Sequence, residues 1–140
     1  MINQLLAKRI HAEFFRASSG NEPVRDKLKA LGWPANTKVG EDIRFVELNW
    51  RVDRPYIDRL RSGHGEFQET LYEVRHTVNS REFRTLFFVY DARMILVHFF
   101  QKKSMKTPLC EIEVAWTRMK RWVAEQKQLE VLNRKRKEGK

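Results

Sequence analysis

One cysteine, Cys110, is all the thiol chemistry in this chain of 140 residues, which excludes an intramolecular disulfide. Four histidines are present, and none stands at a Cys/His spacing that resembles a zinc site, so no metal and no cofactor is expected. The absence of disulfide chemistry points to a cytoplasmic protein. Long apolar runs are also missing. Asp91 and Arg93 cut the most hydrophobic region below membrane-spanning length, and the Met1–Ile10 segment has too short an apolar stretch for a signal peptide. Neither insertion nor export is expected. Acidic side chains are scarce relative to basic ones, 18 against 28, and the net charge of +10 attracts polyanions and repels cations. Nucleic acid is the first partner class and an anionic membrane surface the second.

No internal repeat or linker divides the chain, and its length suits one domain that buries roughly two thirds of its unfolded surface. Residues 10–16 read as a short first strand, followed by a turn at Ser18–Asn21. Pro23 lies in the first turn of a helix in which Val24, Leu28 and Leu31 share a face, and Gly32 with Pro34 ends it. Asn36 or Thr37 is the expected cap of a second helix, whose Val39, Ile43, Val46 and Trp50 have the spacing of one buried stripe. The two form a helical hairpin. Residues 51–66, with Pro55, Gly63 and Gly65, are predicted to be a solvated loop. Strands are predicted over 67–77, 82–90 and 94–102 as an antiparallel meander in sequence order. Thr107 as cap and Pro108 just inside begin a C-terminal helix with Ile112, Trp116, Met119 and Val123 on its apolar face. Beyond Glu130 the basic tail loses its apolar period and is expected to fray while adding sequence-independent attraction to phosphate.

The meander concentrates charge. A two-residue turn at Asn79–Ser80 sets Arg75 directly opposite Arg84, and a turn at Ala92–Arg93 sets Arg84 opposite Gln101, with Lys102 and Lys103 just beyond. Directly opposed like charges are destabilising, by up to about 1 kcal/mol, so their concentration suggests a bound anion. The plainer alternative is that each arginine pairs with Glu73, Glu82 or Glu66 on an exposed sheet face, where ion pairs contribute little. A cationic site of this kind suits RNA cleavage by the neighbouring 2′-hydroxyl. Arginine stabilises charge on phosphorus through its planar fork, and a lysine crowded by other cations is a candidate base or acid, which nominates Lys103 or Lys106. His98, in the apolar alternation of Met94, Leu96 and Phe100, reads as a core histidine, and His76 is expected to point to the face opposite Arg75. His11 and His64 have no supporting context. Cys110 reads as packing, and Trp33, Trp50, Trp116 and Trp122 as core or partner contacts.

Taken in order, Ser19-Gly-Asn-Glu-Pro-Val-Arg25, Gly40-Glu-Asp-Ile43, Leu71-Tyr-Glu-Val-Arg75, Phe83-Arg-Thr-Leu-Phe-Phe88 and the run from His98 to Pro108 with Glu111-Ile112 resemble the phage-derived Gp49-like, HigB-type branch of the RelE/ParE toxin superfamily. The match runs from about residue 10 to 125, with 126–140 a basic extension. Tyr72 stands where the branch usually has Trp, and Gln101 where an apolar residue is common. The resemblance implies an α+β, RelE-like fold in which an N-terminal strand and helical hairpin pack on a twisted antiparallel sheet with a C-terminal helix. It further implies a type II toxin that acts as a ribosome-dependent mRNA endonuclease, without a metal, and that is neutralised by a cognate helix-turn-helix, HigA-like antitoxin. On that basis Arg75, Arg84, Lys103 and Lys106 are the catalytic candidates, and Lys102 and Arg81 the RNA-binding ones. Some relatives inhibit DNA gyrase instead, so a non-catalytic, nucleic-acid-binding or ParE-like toxin is the alternative.

Overall fold

The computed structural model describes residues 7–52, 56–64 and 67–139. In chain order the elements are β1 (His11–Phe14), α1 (Pro23–Leu31), α2 (Ala35–Asn49), β2 (Ile57–His64), β3 (Phe67–Val78), β4 (Arg81–Tyr90), β5 (Arg93–Lys102) and α3 (Leu109–Glu138). The strands form one sheet in the order β1-β5-β4-β3-β2. Its four C-terminal strands are antiparallel, whereas β1 runs parallel to β5, so the sheet is mixed.

Both faces of the sheet are covered. Val24 of α1 and Val39, Ile43 and Val46 of α2 pack with Val74, Phe87, Leu96 and Phe99 on one side. Ala115, Trp116, Met119 and Val123 of α3 pack with Leu86, Phe88, Ile95 and Val97 on the other. This accounts for the nearly continuous apolar sequence of β4 and β5, because a strand buried on both faces has no polar side to alternate with.

Several expectations need correction. Within the predicted loop at 51–66, residues 57–64 form β2, an edge strand paired with β3 through two irregularities. Its charged sequence, Ile-Asp-Arg-Leu-Arg-Ser-Gly-His, carries no clean alternation, so its pairing rests on backbone bonds that side-chain patterning does not reveal. Pro55 and Gly65 lie outside the described residues. α2 begins at Ala35, directly after Pro34 and with no side-chain cap, so neither Asn36 nor Thr37 caps it. Trp50 lies just past its end, yet packs edge-on against Tyr72 and Phe87, at 5.1 and 5.7 Å between ring centroids.

α3 likewise lacks a side-chain cap and continues to Glu138 instead of fraying after Glu130. Its last turns are rich in Leu, Glu, Lys and Arg, all good helix formers, and Lys135, Arg136 and Lys137 complement the helix dipole. Cys110, in its first turn, is exposed and contributes no packing.

Register decides which side chains meet. The β3–β4 hairpin closes at Asn79–Ser80, both at positive φ (49° and 66°) as the favoured two-residue hairpin turn requires, and Arg75 lies opposite Arg84. The β4–β5 hairpin instead closes on Asp91–Ala92, and an irregularity follows between Leu86 and Phe87. Arg84 therefore faces Phe100, Gln101 faces Phe83, and Lys102 faces Glu82. The expected pairing of Arg84 with Gln101 is wrong by one residue: closing the turn one position earlier shifts the register by two, and the irregularity between Leu86 and Phe87 restores one.

Candidate functional site

Strand alternation sends Glu73 and Arg75 of β3 and Glu82 and Arg84 of β4 to the α3 face, at the end of the sheet where α3 begins. Arg84 is 6 % exposed and Glu73 only 1 %. Arg84 Nε donates to Glu73 Oε1 at 3.2 Å, and its Nη1 donates to Glu82 Oε1 at 3.2 Å and to the Phe83 carbonyl at 2.8 Å. Arg75 Nη2 donates to Asp58 Oδ2 on β2 at 3.1 Å, while its buried Nε makes no hydrogen bond and stands 4.0 Å from Glu73 Oε1. The second Glu73 oxygen accepts from Thr107 Oγ1 at 2.5 Å. Thr107 is thus not the cap of α3. Its hydroxyl instead pins the segment before the helix to the floor of the site.

The two arginines are brought together, but within a lattice of carboxylates. A hydrogen bond from Thr77 and the charge of Arg84 hold Glu82 below the usual carboxylate range, outweighing its burial. Lys102 is half-buried across from Glu82, while Lys103 and Lys106 are exposed in the connection to α3. Ser104 Oγ donates to the Lys106 carbonyl at 2.7 Å and tightens that connection. Arg81 is separated from the pair. It projects to the opposite face with its guanidinium 5.2 Å from the Phe83 ring centre.

The histidines are accounted for structurally. His76 is fully buried on the helical-hairpin face, with Nδ1 2.8 Å from Asp42 Oδ2 and Nε2 2.7 Å from Thr85 Oγ1. Burial pushes its pKa down despite the Asp42 carboxylate, so the ring is neutral near pH 7. Burial tends to raise Asp42, but hydrogen bonds from His76 and Lys38 outweigh it and bring the carboxyl down. His98 is buried with Nε2 2.8 Å from Glu111 Oε1, tying β5 to the first turn of α3, and burial lowers its pKa as well. His11 is exposed, and the side chain of His64 lies outside the described residues.

Asp58 and Thr107 escape the sequence reading, whereas Glu73 and Glu82 are arginine partners that its plainer alternative named, with Glu73 buried and not on an exposed sheet face. Glu73 stands two residues before Arg75, hence on the same face, and that spacing is the signal that identifies it. Asp58 carries no such signal, because β2 is not legible as a strand. Chemically, the arrangement offers a partly exposed guanidinium backed by a fixed one, with a lysine-bearing connection beside them. Such a site can bind an anion and stabilise added negative charge.

No helix among the described residues is long and apolar enough to cross a membrane. No curated protein matches the chain. A family model described as phage-derived protein, Gp49-like, matches residues 26–120, from within α1 to the middle of α3. The matched span contains Glu73, both arginines and Lys102, Lys103 and Lys106, and covers well over half of the sequence. The chain therefore belongs to the phage-derived Gp49-like family, a RelE/toxin-like family.

Proposed function

We propose that this protein is the toxin of a type II toxin–antitoxin pair and that it cleaves mRNA on the ribosome. The observation that carries this reading is the meeting of Arg75 and Arg84 across the β3–β4 hairpin, next to the connection that bears Lys103 and Lys106. The 2′-hydroxyl of one nucleotide attacks the adjacent phosphorus, a bond to phosphorus forms, and the 5′-oxygen of the next nucleotide leaves. Arg75, about a third exposed, contacts the phosphate, and Arg84 adds fixed positive charge behind it. Lys103 and Lys106 move the protons, one from the attacking hydroxyl and one to the leaving oxygen. Lys102 and Arg81 contact RNA to either side, and a HigA-like, helix-turn-helix antitoxin neutralises the protein in the cytoplasm.

Induced expression is expected to stop growth within a generation, with new mRNA ends that map inside translated codons. Intact mRNA during arrest would overturn the reading. One observation favours a second possibility: Arg84 is nearly buried and already bonded to two carboxylates, as expected of a structural ion pair in a toxin that binds nucleic acid or DNA gyrase without cutting RNA. Growth arrest with intact mRNA and altered plasmid supercoiling would support that alternative.

A further inference from the structure

Opposed arginines repel, and a carboxylate this deeply buried is costly unless its charge is compensated. Here the two problems have one solution. Glu73 lies two residues from Arg75 on its own strand and diagonal to Arg84 on the next, so its Oε1 stands 3.2 Å from Arg84 Nε and 4.0 Å from Arg75 Nε. Its Oε2 holds Thr107, which ends the lysine-bearing connection. Asp58 and Glu82 differ from it in kind. Asp58 meets Arg75 and Glu82 meets Arg84, and both carboxylates lie nearer the solvent. Glu73 is therefore the one described carboxylate that touches β4, stands beside β3's own arginine and anchors the approach to α3.

We propose that Glu73 is a positioning residue of the site: its carboxylate fixes the spacing and aim of the two guanidiniums and sets the place of the Lys103–Lys106 connection relative to them. This inference rests on the ribonuclease reading above for its kinetic consequence, but its geometric content is independent of it. Affinity and rate should therefore part company when Glu73 is changed. Removing a negative charge from a phosphate site strengthens the attraction for RNA, whereas loosening the arginines and the lysine connection lowers the rate, because misplacement by about 1 Å can cost up to about a hundredfold.

The test uses the full chain with ribosomes and mRNA for kinetics, and a 2′-O-methyl RNA hexanucleotide as an uncleavable binding probe. At matched folded fraction, Glu73→Gln is expected to bind the probe as tightly as the parent or more tightly, while kcat falls at least about tenfold. Glu73→Asp, which keeps the charge but shortens the reach, is expected to lose rate as well. In arginine-labelled protein the Nε–H signals of Arg75 and Arg84 should shift together as the probe is added, and this concerted response should be lost in Glu73→Gln.

A kcat within twofold of the parent for folded Glu73→Gln would overturn the proposal. Should both Glu73 variants fail to fold, Thr107→Val reads the same anchor from the other side: a rate loss of about threefold or more with unchanged probe affinity supports the proposal, and an unchanged rate overturns it. Should the parent prove unable to cleave mRNA, the ribonuclease reading falls while the concerted arginine response still decides the role of Glu73.

Discussion

Arg84 illustrates how one side chain can serve stability and chemistry at once. Its guanidinium is buried against Glu73 and supported by Glu82 and the Phe83 carbonyl, so removing it strands a buried carboxylate. Arg84→Met is expected to destabilise the fold by about 3 kcal/mol or somewhat more, as broken buried pairs do. Combining it with Glu73→Leu should restore much of that loss. Urea unfolding of the two single variants and the double variant measures the coupling, and strict additivity would contradict it. A loss of toxicity in Arg84→Met alone is therefore uninformative about catalysis until stability is known.

The buried histidines give a second prediction at this scale. Both His76 and His98 have pKa values depressed by burial, so the unfolded chain binds protons more readily than the folded one. Their contribution to stability is complete above about pH 6.5, the ordinary imidazole value, and is lost as pH falls below it toward the folded-state values. The urea midpoint should accordingly be lower at pH 5 than at pH 7.5. Equal midpoints would show that neither ring stays neutral in the fold.

Among the elements, the β3–β5 meander was the most legible, because short polar turns separate strongly apolar runs. Its first hairpin followed the sequence closely, since Asn79–Ser80 takes the left-handed conformations that set a two-residue turn. The second turn sits one residue earlier than expected, at Asp91–Ala92 in place of Ala92–Arg93, with Asp91 at positive φ. Ser80→Gly, which relieves a left-handed conformation in a side-chain-bearing residue, is expected to raise stability by up to about 1 kcal/mol. Thermal unfolding will show it as a higher midpoint. β2 was not legible, because an irregular edge strand need not display a buried face. For the site, opposed arginines could be read from turn length, but their burial could not, since it depends on where α3 starts and on a threonine that bonds a carboxylate 34 residues away.

α3 carries its own test. The family match ends at residue 120, yet the helix continues for five further turns with Arg134, Lys135, Arg136 and Lys137 fully on the surface. Replacing those four by glutamine should leave the unfolding midpoint nearly unchanged, because none of them packs on either core. If they meet phosphates, the salt dependence of RNA binding should become shallower by about 0.7 per lost contact in a log–log plot. An unchanged slope would show that the extension stands clear of the nucleic acid.

For the whole molecule, a sheet covered on both faces leaves its edges as the exposed risk, and along the β1 edge the fold answers it with charged side chains. Glu47 Oε2 accepts from the Ala12 amide on the outer side of β1 at 2.8 Å. Past the end of β1, Lys27 Nζ donates to the Phe99 carbonyl at 3.0 Å and Arg118 Nη1 to the Val97 carbonyl at 2.8 Å. These contacts satisfy backbone groups that would otherwise invite another strand. Glu47→Leu is expected to increase self-association at high protein concentration, visible by light scattering, since it also leaves Lys8 without its 3.0 Å partner.

The double burial of β4 also bears on timing. Leu86, Phe87 and Phe88 have no exposed surface, and Leu86 and Phe87 are paired on both sides, so these amides should be among the last to exchange with deuterium. Arg84 stands two residues from that slow centre, whereas Lys103 and Lys106 belong to a surface connection expected to exchange early. The cationic end of the sheet thus spans a steep gradient in local opening, with the charge that must stay fixed rooted at its slow end and the side chains proposed to exchange protons at its fast end.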